Sequence, residues 1–309
     1  MHPELVRIFG LHVQTYGLLT AVGFLAAFVI TLRQARRQGL DPDRLLDLGL
    51  FILLAGFLGA RLLFVLTDVQ FYIETCRGGK APRTLGEVLY DCTRALHIWE
   101  GGLVWYGGFL AALGVGVWVC RRRGLSPLRT ADLIMPGVAL GHVFGRLGCL
   151  AGGCCYGKPT SSALGISFGP ASLAYQDLTD ALEPLPLATP RLHPTQLYEA
   201  LGELLIGLGL LALGTRKRFH GHLLLTYLAA YPLLRTIIEI FRGDAARKYI
   251  VTLSTPRLNA ALGLPESLPS FLSTSQCISL VVAAGAVALY VTLRRRLQGG
   301  SLPGEKLPE

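Results

Sequence analysis

Charge is scarce in this chain. Only 16% of its 309 residues are Asp, Glu, Lys or Arg, whereas 51% are hydrophobic and the mean hydropathy is +0.48. That balance excludes both a disordered chain and an ordinary soluble domain, and it points to a polytopic membrane protein. Acidic residues are rarer than basic ones, 20 against 29, for a net charge of +9. The excess could suit nucleic acid. However, the basic residues cluster in short loops between apolar runs, where lysine and arginine set membrane orientation, so no nucleic-acid partner is expected. The seven cysteines show neither regular pairing nor zinc-finger spacing, so neither a disulfide framework nor a structural zinc site is read, and no metal or cofactor is expected. Internal repeats and inverted pairs of broken helices are absent, which argues against a transporter. No cleavable signal is evident either, because the basic region is short and the first apolar run lacks a small-residue cleavage site.

What the chain does have is long apolar runs. A helix needs roughly 20 apolar residues to cross the hydrocarbon core. Seven segments meet that measure, at about 14–32, 45–66, 103–120, 131–151, 196–213, 221–241 and 274–293. The basic clusters Arg33/Arg36/Arg37, Arg121–Arg123, Arg216–Arg218 and Arg294–Arg296 all fall on one side of such a seven-span arrangement. The expectation is an all-α integral membrane protein with the amino terminus outside and the carboxyl terminus in the cytoplasm. One membrane domain, 1–297, would carry a small extracytoplasmic cap built from loops at about 67–102, 152–195 and 242–273. A short strand is expected within GISFGPAS, and residues 298–309 read as a flexible tail.

The informative residues are polar ones in apolar surroundings. GHVFGRLGCLAGGCCYGKPT, residues 141–160, sets Arg146 at the end of a membrane-length segment among Gly145, Gly148, Gly152, Gly153 and Gly157. A charge at such depth costs a few kcal/mol unless it is paired, snorkels to the headgroups, or holds an anion such as a lipid phosphate. Tyr16 opens the first span, a position that suits a membrane anchor as well as a site. Arg61 lies inside the second span after Gly56, Gly59 and Ala60. In IWEGGLVWYGGFL, paired glycines bracket Trp105 and Tyr106, a layout for helix packing or for backbone bending around a ligand. HPTQLYEALGELL puts Gln196, Glu199 and Glu203 on one stripe, with the nearby arginines as expected partners. LLRTIIEIFRGD spaces Arg235, Glu239 and Arg242 at i, i+4 and i+7, with Arg235 and Glu239 suited to an ion pair. Four arginines exceed structural need, and arginine is well suited to bidentate phosphate recognition.

In order along the chain, YGLL, GARLLFV, GGLVWYGG, GRLGCLAGGCCYGKPT, HPTQLYE and RTIIEIFRGD resemble the prolipoprotein diacylglyceryl transferase family of bacterial inner membranes. The resemblance implies transfer of the diacylglyceryl group of phosphatidylglycerol to the lipobox cysteine of a preprolipoprotein, with glycerol phosphate released. The implied partners are phosphatidylglycerol, lipobox-containing preprolipoproteins and membrane lipid. The implied catalytic residues are Arg146, Arg235, Glu239 and Tyr106. The implied substrate-binding residues are Arg146, Tyr16, Arg61, Gly157, His193, Gln196, Tyr198, Glu199 and Arg242. The chain departs from the family pattern at Tyr106, where a histidine is common, at Cys149, where asparagine is usual, and at Gly152 and Cys154, where the signature carries asparagine and glutamate. These departures leave a second reading, a paralogue with altered substrate or lost catalysis that acts as a lipid-binding membrane protein.

The implied reaction needs a thiolate and stabilisation of a departing phosphate. Arg146 and Arg235 would grip the phosphate, with Glu239 orienting Arg235. A tyrosine, with a reference pKa near 10, makes Tyr106 a hydrogen-bond donor rather than a base. Deprotonation of the thiol would rely on the positive site, on His193 or on Glu199. The cysteine cluster also admits a thiol oxidoreductase, but adjacent cysteines are not a CxxC pair and that reading leaves the arginines unexplained.

Overall fold

A computed structural model describes residues 4–8, 11–77, 84–97, 102–179, 186–244, 249–253, 256–261 and 271–298. Six of its helices are long and apolar enough to cross a membrane. These are α1 (Thr15–Arg37), α2 (Pro42–Thr67), α6 (Pro127–Gly152), α8 (Thr195–Gly214), α9 (His222–Phe241) and α11 (Thr274–Gln298). The third expected span is a helix too, α5 (Trp105–Arg122), but its 18 residues end in Arg121 and Arg122, and it is not among the six. The helices also invert the usual arrangement of a soluble protein. Leu25, Leu58, Leu62, Leu205 and Val281 are exposed along their flanks, while Arg61, Asp132, Glu199, Glu203 and Glu239 are buried. Such a surface suits a chain that passes the membrane several times.

The chain divides into two compact units, residues 35–130 and the remainder. In the first, α2 packs along α5. Asp41 starts α2 by accepting the Asp43 amide, with Pro42 in the first turn, where its missing N–H costs nothing. The helices approach closely through glycine. A Cβ on Gly108 would sit 2.9 Å from the Gly56 carbonyl oxygen, and Gly59 and Gly107 are in tighter contact still. The expected loop at 67–102 contains α3 (Val69–Arg77), α4 (Leu85–Thr93) and a 3₁₀ turn, Arg94–Leu96. A Cys76–Cys92 disulfide joins α3 to α4, where the spacing of the cysteines gave no disulfide framework. Spacing alone could not show this, because the pairing depends on two short helices lying side by side.

The second unit holds α1, α6, α8, α9 and α11. Buried Asp132 on α6 caps α9 in trans, accepting the amides of Gly221 (2.9 Å), Leu223 (2.9 Å) and Leu224 (3.1 Å). Those N–H groups have no partner within their own helix, and a carboxylate there also favours the helix dipole. Ala139, Leu210, Leu223 and Tyr227 form a core where α6, α8 and α9 meet. The segment after α6 folds over Tyr156, Phe168, Ala174 and Leu192, with the short helix α7 (Leu173–Thr179) on it. The strand expected in GISFGPAS is reduced to one bridge, Ile166 to Leu192. Two small antiparallel strand pairs were not expected from an all-helical pattern. They are β1 (Glu4–Ile8) with β2 (Leu11–Gln14), and β3 (Tyr249–Leu253) with β4 (Phe271–Ser273), and α10 (Pro256–Ala261) precedes β4. The expected tail falls almost wholly outside the described residues.

Candidate active site

The polar side chains of α6, α8 and α9 form one connected ladder. Its centre is Glu199, fully buried on α8. Glu199 Oε1 accepts from Arg146 Nη2 at 3.1 Å and from the Tyr231 hydroxyl at 3.2 Å, and Oε2 accepts from Arg235 Nη1 at 3.2 Å. Arg235 Nη2 then meets Glu239 Oε2 at 3.0 Å, and the Ser273 hydroxyl donates to Glu239 Oε1 at 3.1 Å. In the other direction, Arg146 Nε donates to His142 Nε2 at 3.1 Å. That bond leaves the His142 proton on Nδ1, which donates to Glu203 Oε1 at 2.6 Å, and Tyr227 donates to the same oxygen at 3.2 Å.

Helical spacing explains why these residues meet. His142 and Arg146 are one turn apart on α6, Glu199 and Glu203 on α8, and Arg235 and Glu239 on α9. Each helix thus offers two polar side chains on the face turned to the others. Glu199 is shared by both arginines and Glu239 adds a second carboxylate to Arg235, so two carboxylates offset two cations and make their burial tolerable. Arg146 and Arg235 keep 15% and 14% of their side chains exposed. Nη1 of Arg146 and Nε of Arg235 have no hydrogen-bond partner among the described residues, so both cations retain a donor for an anion.

Several expectations are met in altered form. The i, i+4 pair Arg235–Glu239 forms as the spacing implies. Glu203 pairs with His142 and Tyr227 rather than with an arginine. Arg242 does not continue the face of α9. The helix ends at Phe241, the Arg242 backbone is extended (φ −66°, ψ 138°), and its guanidinium holds Asp244 bidentately at 2.8 and 3.0 Å. The ending has a backbone cause. Residues 157 and 242 form a β-bridge, and a Cβ on Gly157 would lie 2.6 Å from His193 Cβ and 2.8 Å from the Phe241 oxygen. Gly157 is therefore required where three backbone segments converge.

The HPTQLYE stretch braces the loop that follows α6. Gln196 Nε2 and Thr195 Oγ1 donate to the Cys154 and Cys155 carbonyls, each at 2.7 Å. His193 Nδ1 lies 3.1 Å from the Tyr198 hydroxyl, and its buried Nε2 has no partner among the described residues. Burial, then the nearby Lys158 cation, lowers the His193 pKa, so the ring is neutral at pH 7. Burial also pushes Lys158 down to about 8, with Glu239 acting in the opposite direction.

Tyr16 packs against Gly148 at the start of α1. At the end of α6, the sulfurs of Cys149, Cys154 and Cys155 all lie within 4.8 Å of one another. Hydrogen bonds from Cys149 and Cys154, helped by Arg242 and Arg146, hold the Cys155 thiol far below its usual range, and donation to its neighbours pushes Cys154 up. Arg61 and Tyr106 belong to the unit 35–130. Buried Arg61 donates to the carbonyls of Arg94 (2.8 Å), Ala95 (2.9 Å) and Gly102 (3.2 Å). Tyr106 is exposed and stands edge-on to Trp105.

Sequence reasoning passed over His142, Lys158, Tyr227 and Tyr231. The i, i+4 spacing of His142 to Arg146 was a usable signal. The two tyrosines look like ordinary membrane-helix aromatics until their hydroxyls are placed.

A family model described as prolipoprotein diacylglyceryl transferase matches residues 3–292. Among curated relatives, the phosphatidylglycerol–prolipoprotein diacylglyceryl transferase of Clostridium tetani is 30% identical over 281 residues, covering 91% of this chain and 93% of that protein. The Clostridium perfringens protein named phosphatidylglycerol–prolipoprotein diacylglyceryl transferase 2 is 29% identical over 307 residues, covering 99% and 100%. The Geobacter sulfurreducens transferase is 32% identical over 248 residues, covering 79% and 84%.

Proposed function

Because the chain belongs to the prolipoprotein diacylglyceryl transferase family, we propose that it transfers the diacylglyceryl group of phosphatidylglycerol to the lipobox cysteine of prolipoproteins. The cysteine sulfur attacks a glycerol carbon, a C–S bond forms as the C–O bond to the phosphate breaks, and glycerol phosphate leaves with the bonding pair. Charge therefore develops on a phosphate oxygen, and groups already aimed at it lower the barrier most. The observation that carries this reading is the pair Arg146 and Arg235, joined through Glu199 and each holding an N–H in reserve. Glu199 and Glu239 orient Arg235, and Glu199 with His142 orients Arg146. Neutral His193 is the candidate proton acceptor. Tyr16, Arg61, Tyr106, Gln196, Tyr198 and Arg242 are read as contributors to lipid or peptide binding, directly or through the loops they hold.

The same reading makes α5 a seventh span. The basic ends of α1, α5 and α11, with Arg216–Arg218, then lie together on the cytoplasmic side of the bacterial inner membrane, and the loop after α6 lies outside. The test is transfer in phosphatidylglycerol liposomes with a lipobox peptide, following peptide mass and released glycerol phosphate together. Matched gains are expected from the parent protein, and Arg146→Ala should lose both. Full transfer by Arg146→Ala would sink the phosphate-grip reading.

A further inference from the structure

The transfer chemistry accounts for the arginines but not for Cys149, Cys154 and Cys155. Their sulfurs lie within 4.8 Å of one another, with Cys149 at the edge of burial and the other two half-buried. Some point then lies within about 2.8 Å of all three sulfurs, against a zinc–thiolate bond of about 2.3 Å, so small side-chain rotations close the site.

The loop that presents them is built rather than incidental. Gly153 has φ +70°, and Cys155 has φ +59°, the one non-glycine residue with positive φ among the described residues. A side chain there is strained, by roughly 1–2 kcal/mol. The Gly153 turn folds the chain back so that the Cys154 amide bonds the Cys149 carbonyl at 3.1 Å, and the left-handed Cys155 then turns the chain once more. Gln196 and Thr195 on α8 then pin the carbonyls of Cys154 and Cys155. Carbonyls clamped by buried side chains are the kind of support that fixes metal ligands in place. The charge balance also fits. Three thiolates around a divalent ion carry a net negative charge, and Arg146, three residues before Cys149 on α6, carries the opposite sign.

We propose that Cys149, Cys154 and Cys155 bind a thiophilic divalent cation, zinc, as a three-thiolate site with its fourth position open. Three protein ligands with an open position is the pattern of catalytic rather than structural zinc. Resting on the transferase reading, the open position takes the lipobox cysteine. The thiol binds as thiolate, its proton passing to His193, and the metal-bound sulfur then attacks the glycerol carbon as the C–O bond breaks. No oxidant or reductant takes part.

The experiment uses the full-length protein in detergent, reduced with a phosphine. Metal content is measured first, and Co²⁺ is then titrated while thiolate-to-cobalt absorption is recorded. About one metal per chain, with a cobalt band of three-thiolate intensity, is expected. Loss of the band in the Cys149→Ser and Cys155→Ser proteins, with an unchanged melting temperature before metal is added, would support the site. Absence of binding by the parent, or a band that survives both substitutions, would overturn it. Adding a lipobox peptide should shift the cobalt spectrum, whereas its Cys→Ser counterpart should not. Equal responses to the two peptides would overturn the fourth-ligand role. Full transfer by metal-free parent protein would do the same while leaving the transferase reading standing. Metal binding without any transfer would instead sink the transferase reading and keep the site.

Discussion

Replacing Glu199 with glutamine tests the centre of the ladder with almost no change of shape. The carboxylate accepts from Arg146 and Tyr231 on one oxygen and from Arg235 on the other. In Glu199→Gln one acceptor becomes an NH₂ group that must face a guanidinium N–H or the tyrosine hydroxyl. At least one charge-assisted hydrogen bond is lost, worth about 1.5–3 kcal/mol. Both arginines also lose the charge that compensates their burial, and each becomes free to turn from the position in which it meets phosphate. If that loss falls on the transition state, the specific transfer rate drops roughly 10- to 150-fold, since 1.36 kcal/mol is tenfold. The assay is the liposome transfer reaction with varied phosphatidylglycerol, alongside a thermal melt to show that the variant is folded. A fall mainly in kcat is expected, because positioning for the departing phosphate matters most as its charge develops. A folded Glu199→Gln protein with a rate within about threefold of the parent, under 1 kcal/mol, would refute the argument that Glu199 holds the two arginines in place.

Asp132→Asn should lower stability by about 1–2 kcal/mol, because an amide cannot accept from all three α9 amides. Thermal unfolding in detergent would read this as a lower Tm with little change in transfer at low temperature. Lys158 titrates at about 8 when folded and 10.5 when unfolded, so between those values the unfolded chain binds more protons. Stability should therefore rise with pH across that window, the cost of burying the ammonium being present in full below it. Lys158→Met should melt higher at pH 7 and show a flatter profile from pH 8 to 10.5. Replacing Cys76 and Cys92 by serine opens a loop of 16 residues and should cost about 3 kcal/mol by chain entropy. Faster proteolytic cleavage within 69–97 is the expected readout, and unchanged cleavage would show that α3 and α4 are held by other contacts.

The membrane character of the chain, the limits of its apolar helices and the i, i+4 pairs on them were all set by local pattern. A 20-residue apolar run and a 3.6-residue period need no knowledge of the partner. That is why α1, α2, α6, α8, α9 and α11 fall within a few residues of their expected limits, and why Arg235 and Glu239 pair as their spacing implies. Tertiary structure decided the partners. Glu199 is shared by two arginines from two other helices, and Glu203 is matched to His142 instead of an arginine. Arg61 is committed to backbone carbonyls, and Arg242 turns to Asp244 because α9 must end where Gly157 and Gly243 bring two backbones together. The cysteines divide in the same way. Nothing in their spacing distinguishes the disulfide pair Cys76–Cys92 from the trio at 149, 154 and 155. One depends on two short helices lying side by side, and the other on a left-handed Gly153 that folds the chain back onto the end of α6, with a second left-handed residue, Cys155, after it. Periodicity along one helix is a local property of the sequence, whereas the meeting of side chains from different helices depends on packing that no single stretch contains.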